Sequence, residues 1–424
     1  MGKVVKLEPQ DKDRPGGQGR PRPTRSKTAL VLGGGGFTGG VYEIGALRAL
    51  DLLTVNRTVN DFDVYVGTSA GAFVASMTAN GVTPEEMMRV VDHQRPTQFP
   101  NLDLGNLLRP NVGGFVKSAF TLPLRTAQLV RGIAGHLGQV SAMDVVLGLA
   151  EGLPAGAYSG AGVEHYLHSV LTSDPSRSDD FRTLGPELYL TATDLDTCER
   201  IVFGAEGWDD IPISTAVRAS TALPMVYSPV TVRDRELVDG GIVSTTNLDI
   251  AVNAGAKLIV VVNPLVPYVN DFKTQIRTLS GTRTRHVSDM GFPQIGYQAF
   301  KMVAYQRLHE MARQWEQRYP GVDIVLIEPE PDDELMFQTP IMNFTSRVEI
   351  ARHGFQSVTT QLAFGYPRFR EICKRHGIQI SATRVRKVMK HFEAEQGRTR
   401  AWRKILEQTT GALLRQSGDQ AERG

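Results

Sequence analysis

Cysteine is nearly absent from this 424-residue chain. Cys198 and Cys373 are the only two, too few for a disulfide framework, so a reducing compartment and a cytoplasmic home are expected. Nowhere do apolar residues run unbroken for the ~18 positions of a membrane span, which leaves only peripheral contact with a bilayer. An excess of one charge sign is also missing: the net charge is +2, with 22% charged and 41% hydrophobic residues, ordinary for a globular protein. The charge is unevenly spread. Residues 1–27 and 381–424 each carry a net +5, leaving −8 for the rest. An acidic body with two basic ends does not suit a dedicated nucleic-acid binder. Such ends suit solvated tails or an anionic lipid surface. Residues 1–27 hold proline, glycine and charge without an apolar segment, so they read as a disordered basic leader and not as a secretory signal.

Glycine, by contrast, is concentrated. "LVLGGGGFTGG" (Leu30–Gly40) has six glycines in eleven residues. The apolar run "TALVL" before it reads as a buried strand, and "VYEIGALRALDLL" after it as a helix packed on a sheet. "FDVYVGTSAGAFVASMTANG" repeats the pattern: Phe62–Val66 a strand, Gly67–Gly71 a tight turn, Ala72–Ala79 a helix ending near Gly81. Further strands are expected at Glu187–Leu195, Arg200–Gly204, Pro229–Gly241, Ala256–Pro264 and Val322–Pro329, with helices at Leu248–Ala254 and Tyr297–Tyr319. This alternation predicts a mainly parallel, helix-covered sheet. Residues 95–160 show no clear strand and read as a helical insertion, either an ordinary subdomain or a lipid-facing lid. From Asn343 onward the chain looks all helical, with a basic Thr383–Leu414 region. The expected organisation is therefore a leader (1–27), an α/β domain (28–342) and a helical extension (343–424).

The second turn, "GTSAG", is a G-x-S-x-G string with Ser69 at its centre. The string alone carries little weight in a glycine-rich chain, and a capping serine in an ordinary turn would also fit. Its place between a strand and a helix is what suits a strained elbow that lifts a serine hydroxyl out of a sheet. "GGGFTG" (Gly34–Gly39) fits the dinucleotide pattern G-x-G-x-x-G. It equally fits an oxyanion hole, which needs several unencumbered amides converging on one point. A dinucleotide fold wants an acid at the end of strand two; Asp61 and Asp63 precede that strand. The oxyanion reading is favoured.

A nucleophilic serine needs a base. "LVDGG" places Asp239 directly after an apolar strand, against Gly240 and Gly241. A turn aspartate would look the same. Of the nine histidines, His286, His309 and His353 lie after the sheet in helical or loop segments and read as packing or surface residues. His165 and His168 are spaced as a metal pair but lack an apparent third ligand. Phe300, Met302, Tyr305, Met311 and Trp315 read as a helix core face, and Asp194 and Asp196 as turn residues.

Taken together these segments resemble the patatin-like phospholipase family, from about Thr28 to Pro264 with a gap over the insertion. The glycine loop Gly34–Gly39, the elbow Gly67–Gly71 and Asp239-Gly240-Gly241 occur in the family's order. "ATDLDT" (Ala192–Thr197) and "AVRASTALPMVYSPV" (Ala216–Val230) also look like it. The resemblance implies a three-layer α/β/α sandwich. It implies Ser69 as nucleophile, Asp239 as proton acceptor, and an oxyanion hole from Gly34, Gly35, Gly36, Phe37, Thr38 and Gly39. It further implies hydrolysis of lipid acyl esters without metal, cofactor or histidine. One departure stands out: the family commonly has Arg or Lys just before the loop's last glycine, and here Thr38 stands there, followed by an extra Gly40. Three rivals stay open: a Ser69–Asp239–His286 triad of the α/β-hydrolase type, a non-catalytic lipid-surface regulator on the same fold, and a dinucleotide-binding module.

Overall fold

The structure is a computed structural model that describes residues 26–92, 99–100, 104–121, 153–270, 272, 276–277, 283–330, 333–339, 344–391 and 393–394. Its main sheet has eight strands: β1 (Thr28–Leu32), β2 (Val64–Thr68), β3 (Glu187–Asp194), β4 (Arg200–Phe203), β5 (Val230–Val232), β6 (Arg235–Asp239), β7 (Leu258–Val262) and β8 (Asp323–Ile327). The spatial order is β8-β7-β1-β2-β3-β6-β5, with β4 paired to β3. The run β8-β7-β1-β2-β3 is parallel throughout, and the β4, β5 and β6 pairings are antiparallel. The sheet is thus mainly parallel, as the alternation of apolar runs predicts.

Both faces of this sheet are covered, because its central strands are apolar at nearly every position, with Thr28 and Thr68 the polar exceptions. In β1 and β2 all ten residues are buried. Leu30, Leu32 and Tyr65 pack on one face with helices α1 (Gly36–Leu53), α2 (Ala70–Ala79), α3 (Pro84–Asp92), α4 (Ala161–Thr172) and α5 (Ile213–Ser220). Ala29, Val31, Val64 and Val66 point to the other face, against α6 (Leu248–Asn253) and α7 (Phe292–Arg318). The period of two along each strand separates two apolar cores, and the result is the expected α/β/α sandwich.

Helices α8 (Arg347–Phe364) and α9 (Tyr366–Arg375) join the first of these cores through Ile350, Val358, Leu362 and Phe369. The contact between α1 and α8 is backbone on backbone. A Cβ on Gly45 would stand 2.3 Å from the Ala351 carbonyl oxygen, and one on Gly354 would stand 2.5 Å from that of Tyr42.

Several expectations need correction. The segment 229–241 is a hairpin of β5 and β6, turned at Arg233, whose φ is 55°. The insertion contains a short strand, Gly156–Tyr158, paired in parallel with Met225–Tyr227; a two-strand ribbon lacks the long apolar run that would announce it. Its described helical parts are Leu104–Leu107 and residues 112–121. On α7, Trp315 is buried, but Met302 is exposed and Phe300 turns into a pocket, so these residues do not form one core face. The basic leader up to residue 25 and the chain beyond residue 394 lie outside the described residues.

Candidate active site

The register of β3 brings the site together. One edge of β3 pairs with β2 up to Thr68–Thr191, and β4 occupies the opposite edge from Leu190 to Thr193. At Ala192 the first edge passes to β6, whose Asp239 is the partner of Ala192. Ser69 follows Thr68 directly, so the serine and the aspartate reach the same point from neighbouring segments.

Ser69 has φ 56° and ψ −125°. A positive φ in a non-glycine residue is strained and persists only where its surroundings enforce it. Gly71 supplies that enforcement. A Cβ there would lie 2.4 Å from the Leu32 carbonyl oxygen, and the Gly71 amide donates to the Gly33 carbonyl at 3.2 Å. Gly67 is equally confined, with Ala72 Cα 2.5 Å from its Cβ position. The Ser69 amide donates to Ser220 Oγ at 2.9 Å.

With the elbow held, the Ser69 hydroxyl donates to Asp239 Oδ2 at 2.6 Å. The other carboxylate oxygen, Oδ1, accepts from the Gly241 amide at 2.7 Å. Both side chains are buried, Ser69 at 6% and Asp239 at 3% exposure. Loss of hydration raises the Asp239 carboxyl from 3.8 to about 6, against the opposing pull of the Ser69 and Gly241 hydrogen bonds. Among the described residues no imidazole intervenes. His286 is exposed and sits at the N-terminus of the short turn Val287–Met290, with its ring against Phe272. His309 bonds Glu328, His353 bonds Asp333 and His168 bonds Asp179. The proposed Ser69–Asp239–His286 arrangement is therefore corrected: the serine meets the acid directly.

The glycine loop is shorter than its pattern suggests. It ends at Gly35, and Gly36–Gly39 already form the first turn of α1. Gly36 takes a φ of 61°, which its missing side chain permits. The Gly34 amide donates to Thr245 O and that of Gly39 to Gly35 O. Among the described residues, the amides of Gly35, Gly36 and Phe37 have no such partner, as expected where a helix begins. Gly34 lies against the serine, its Cβ position 3.3 Å from Ser69 Cβ. Thr38 is buried and brings no charge. Asp63 caps the start of β1 through the Thr28 amide at 2.8 Å, and Asp61 bonds the Thr58 amide at 2.8 Å. Both lie away from the loop, so neither serves as the ribose acid that a dinucleotide site requires.

Ser69 and Asp239 open into a pocket of about 1050 Å³, counted with its mouth, walled by Phe37, Ile44, Phe73, Val74, Leu223 and Tyr297. Its lining is almost entirely apolar. On α7, Lys301 is 4% exposed and stands over the Tyr297 ring at 4.6 Å. Burial lowers its ammonium from 10.5 to about 8, opposed by Asp333.

The sequence did not single out the polar residues beneath the site. Asn247, fully buried, donates to Thr68 Oγ1 at 2.8 Å, Thr191 Oγ1 at 3.1 Å and Ser244 O at 2.9 Å. Its Oδ1 accepts from Arg200 at 2.8 Å. Ser220 belongs to the same group. Their one sequence signal is the occurrence of polar residues within otherwise apolar segments. Asp194 is a turn residue as expected, accepting from the Asp196 and Thr197 amides at 3.0 and 3.1 Å. Among the described residues no cluster of three or more His, Cys, Asp or Glu side chains is arranged to hold a metal, and no helix is long and apolar enough to cross a membrane.

The sequence pattern of the family described as patatin-like phospholipase matches residues 30–252. A probable lipid hydrolase, 463L, from Invertebrate iridescent virus 6 is 23% identical over 236 residues, which cover 54% of this chain and 65% of that protein. The chain thus spans less than two thirds of the viral relative. Among solved structures, VipD from Legionella pneumophila aligns with a TM-score of 0.32 and 12% identity, over 80% of this chain and 67% of that one. ExoU, a type III effector of Pseudomonas aeruginosa, aligns with a TM-score of 0.32 and 16% identity, over 79% and 52%.

Proposed function

The chain belongs to the patatin-like phospholipase family, and on that premise we propose that it hydrolyses fatty-acyl esters of phospholipids or related lipids, with Ser69 and Asp239 as its catalytic pair. The observation that carries this reading is the 2.6 Å hydrogen bond from the strained Ser69 hydroxyl to a buried carboxylate at the head of an apolar pocket. The pocket accepts the acyl chain and places the ester carbonyl at Ser69 Oγ. As Oγ bonds to the carbonyl carbon, its proton passes to Asp239. A free carboxylate is a poor base; one held at about 6 is nearer the pKa that proton transfer at neutral pH requires. The Gly35, Gly36 and Phe37 amides receive the developing oxyanion, a contribution of about 3–4 kcal/mol per donor in comparable sites. Their backbone donors act without the absent Arg or Lys of the loop. The carbon–oxygen bond to the alcohol then breaks as Asp239 returns the proton to the leaving oxygen. Water repeats the cycle on the acyl-enzyme, freeing the fatty acid. Lipid substrate is the partner, reached from a membrane surface in the cytoplasm.

The test is a panel of acyl esters, from p-nitrophenyl butyrate to phosphatidylcholine, with the Ser69→Ala and Asp239→Asn proteins beside the wild type. Each substitution should lower turnover by about a thousandfold or more with circular dichroism unchanged. A fluorophosphonate should label the wild type at Ser69. Near-normal rates in both folded variants would refute the assignment.

A further inference from the structure

Residues 112–121 form a helix that is amphipathic the wrong way round for a soluble protein. Its half-buried positions are Asn111, Gly114, Ser118 and Thr121, all small or polar. These positions, at i, i+3, i+7 and i+10, share one face of a 3.6-residue helix. The exposed side carries Val112 (64% exposed), Val116 (49%) and Phe120 (82%), with Phe115 (49%) at its edge. Isolated exposed apolar residues are ordinary; four large ones on a single helical stripe mark an interaction surface.

The helix is tied to the catalytic pocket. Leu107, just ahead of it, lines that pocket. Asn111 then fixes the helix N-terminus, its amide donating to Ala157 O at 2.9 Å and its Nδ2 to Ser228 Oγ at 2.8 Å and Gly156 O at 3.1 Å. Gly156 and Ala157 belong to the ribbon formed by Gly156–Tyr158 and Met225–Tyr227, Ser228 follows it directly, and Tyr227 within it and Leu223 before it line the pocket too. On the same ribbon Met225 is 82% exposed. The apolar stripe and the pocket rim are therefore held by one set of hydrogen bonds.

The charge of the segment points to one occupant. Between residues 107 and 121 the chain has Arg109 and Lys117 and no acid, and both are exposed. An apolar stripe flanked by cations is the pattern of helices that lie in the headgroup region of anionic membranes. We infer that the 112–121 helix, with Met225, seats on an anionic lipid bilayer and holds the catalytic pocket toward it. This rests on the reading of that pocket as a lipid site.

The experiment uses the full chain, vesicles of phosphatidylcholine with phosphatidylserine, and the double variant Phe115→Asp/Phe120→Asp. Wild type and Ser69→Ala should both co-sediment with the vesicles. The double variant should lose at least tenfold in vesicle binding and in hydrolysis of vesicle lipid, and keep its rate on soluble p-nitrophenyl butyrate. Because Ser69→Ala retains the helix, vesicle binding tests the inference even if the ester chemistry fails. Wild type left in the supernatant, or a double variant that binds as wild type, would overturn it. So would a wild-type dimer that the double variant dissolves, since the stripe would then belong to a second copy. A melting temperature lowered by the two aspartates would also overturn it, by assigning the stripe to the chain's own interior.

Discussion

A Cβ on Gly240 would stand 2.3 Å from the Thr191 carbonyl oxygen, so the turn after Asp239 rests on β3 with no room for a side chain. That contact fixes Asp239 where β6 takes over the β3 edge from β2. Gly240→Ala must push the two backbones apart. It should cost about 1–3 kcal/mol of stability, read from the urea midpoint. A shift of the carboxylate of about 1 Å should cost about a hundredfold in kcat. Unchanged turnover in this variant would show that Asp239 does not need this placement.

Asp239 should set the acid limb of the pH profile. It serves as a base only when ionised, so activity should rise with pH through about 6. The same shift makes a stability statement of opposite sense. The folded state holds the proton between about 4 and 6 while the unfolded chain releases it, so this group's contribution is lost as pH rises through that window. Asp239→Asn should therefore be more stable than wild type at pH 8, by about 2–3 kcal/mol, with no such gain at pH 4. Thermal melts at the two pH values check the sign.

Asn247 should matter for the architecture beneath the serine. Asn247→Ala removes two bonds to Thr68 and Thr191 and leaves the Arg200 contact unmade. The expected cost is about 2–3 kcal/mol, measured by denaturant unfolding, with reduced kcat because Thr68 precedes Ser69.

Lys301 is buried with its ammonium over the rings of Tyr297 and Phe337, and only the more distant Asp333 charge favours its ionised form. Its ammonium is lowered to about 8, so the penalty is full below that pH and fades toward 10.5. Lys301→Met should raise the melting temperature at pH 6 and have much less effect at pH 10. A loss of stability at pH 6 would mean that the cation is compensated after all.

Sequence alone determined the sheet and the two turns. Apolar runs such as "TALVL" and "VYVG" can be buried on both faces only in a covered parallel sheet, and Gly67, Gly71 and Gly240 mark places where backbones touch. It also made Ser69 and Asp239 candidates, because strand-end position and flanking glycines are local properties, while leaving an ordinary turn serine and turn aspartate open. The tertiary structure decided what depends on residues far apart in the chain. The direct hydrogen bond comes from β3 changing partners between Thr191 and Ala192, a register that no local pattern encodes. The Asn247 network, the burial of Lys301 and the outward stripe of residues 112–121 became legible only with their surroundings. Burial and partnership are properties of a neighbourhood, and folding assembles that neighbourhood from segments as distant as Thr68 and Asn247, 179 positions apart.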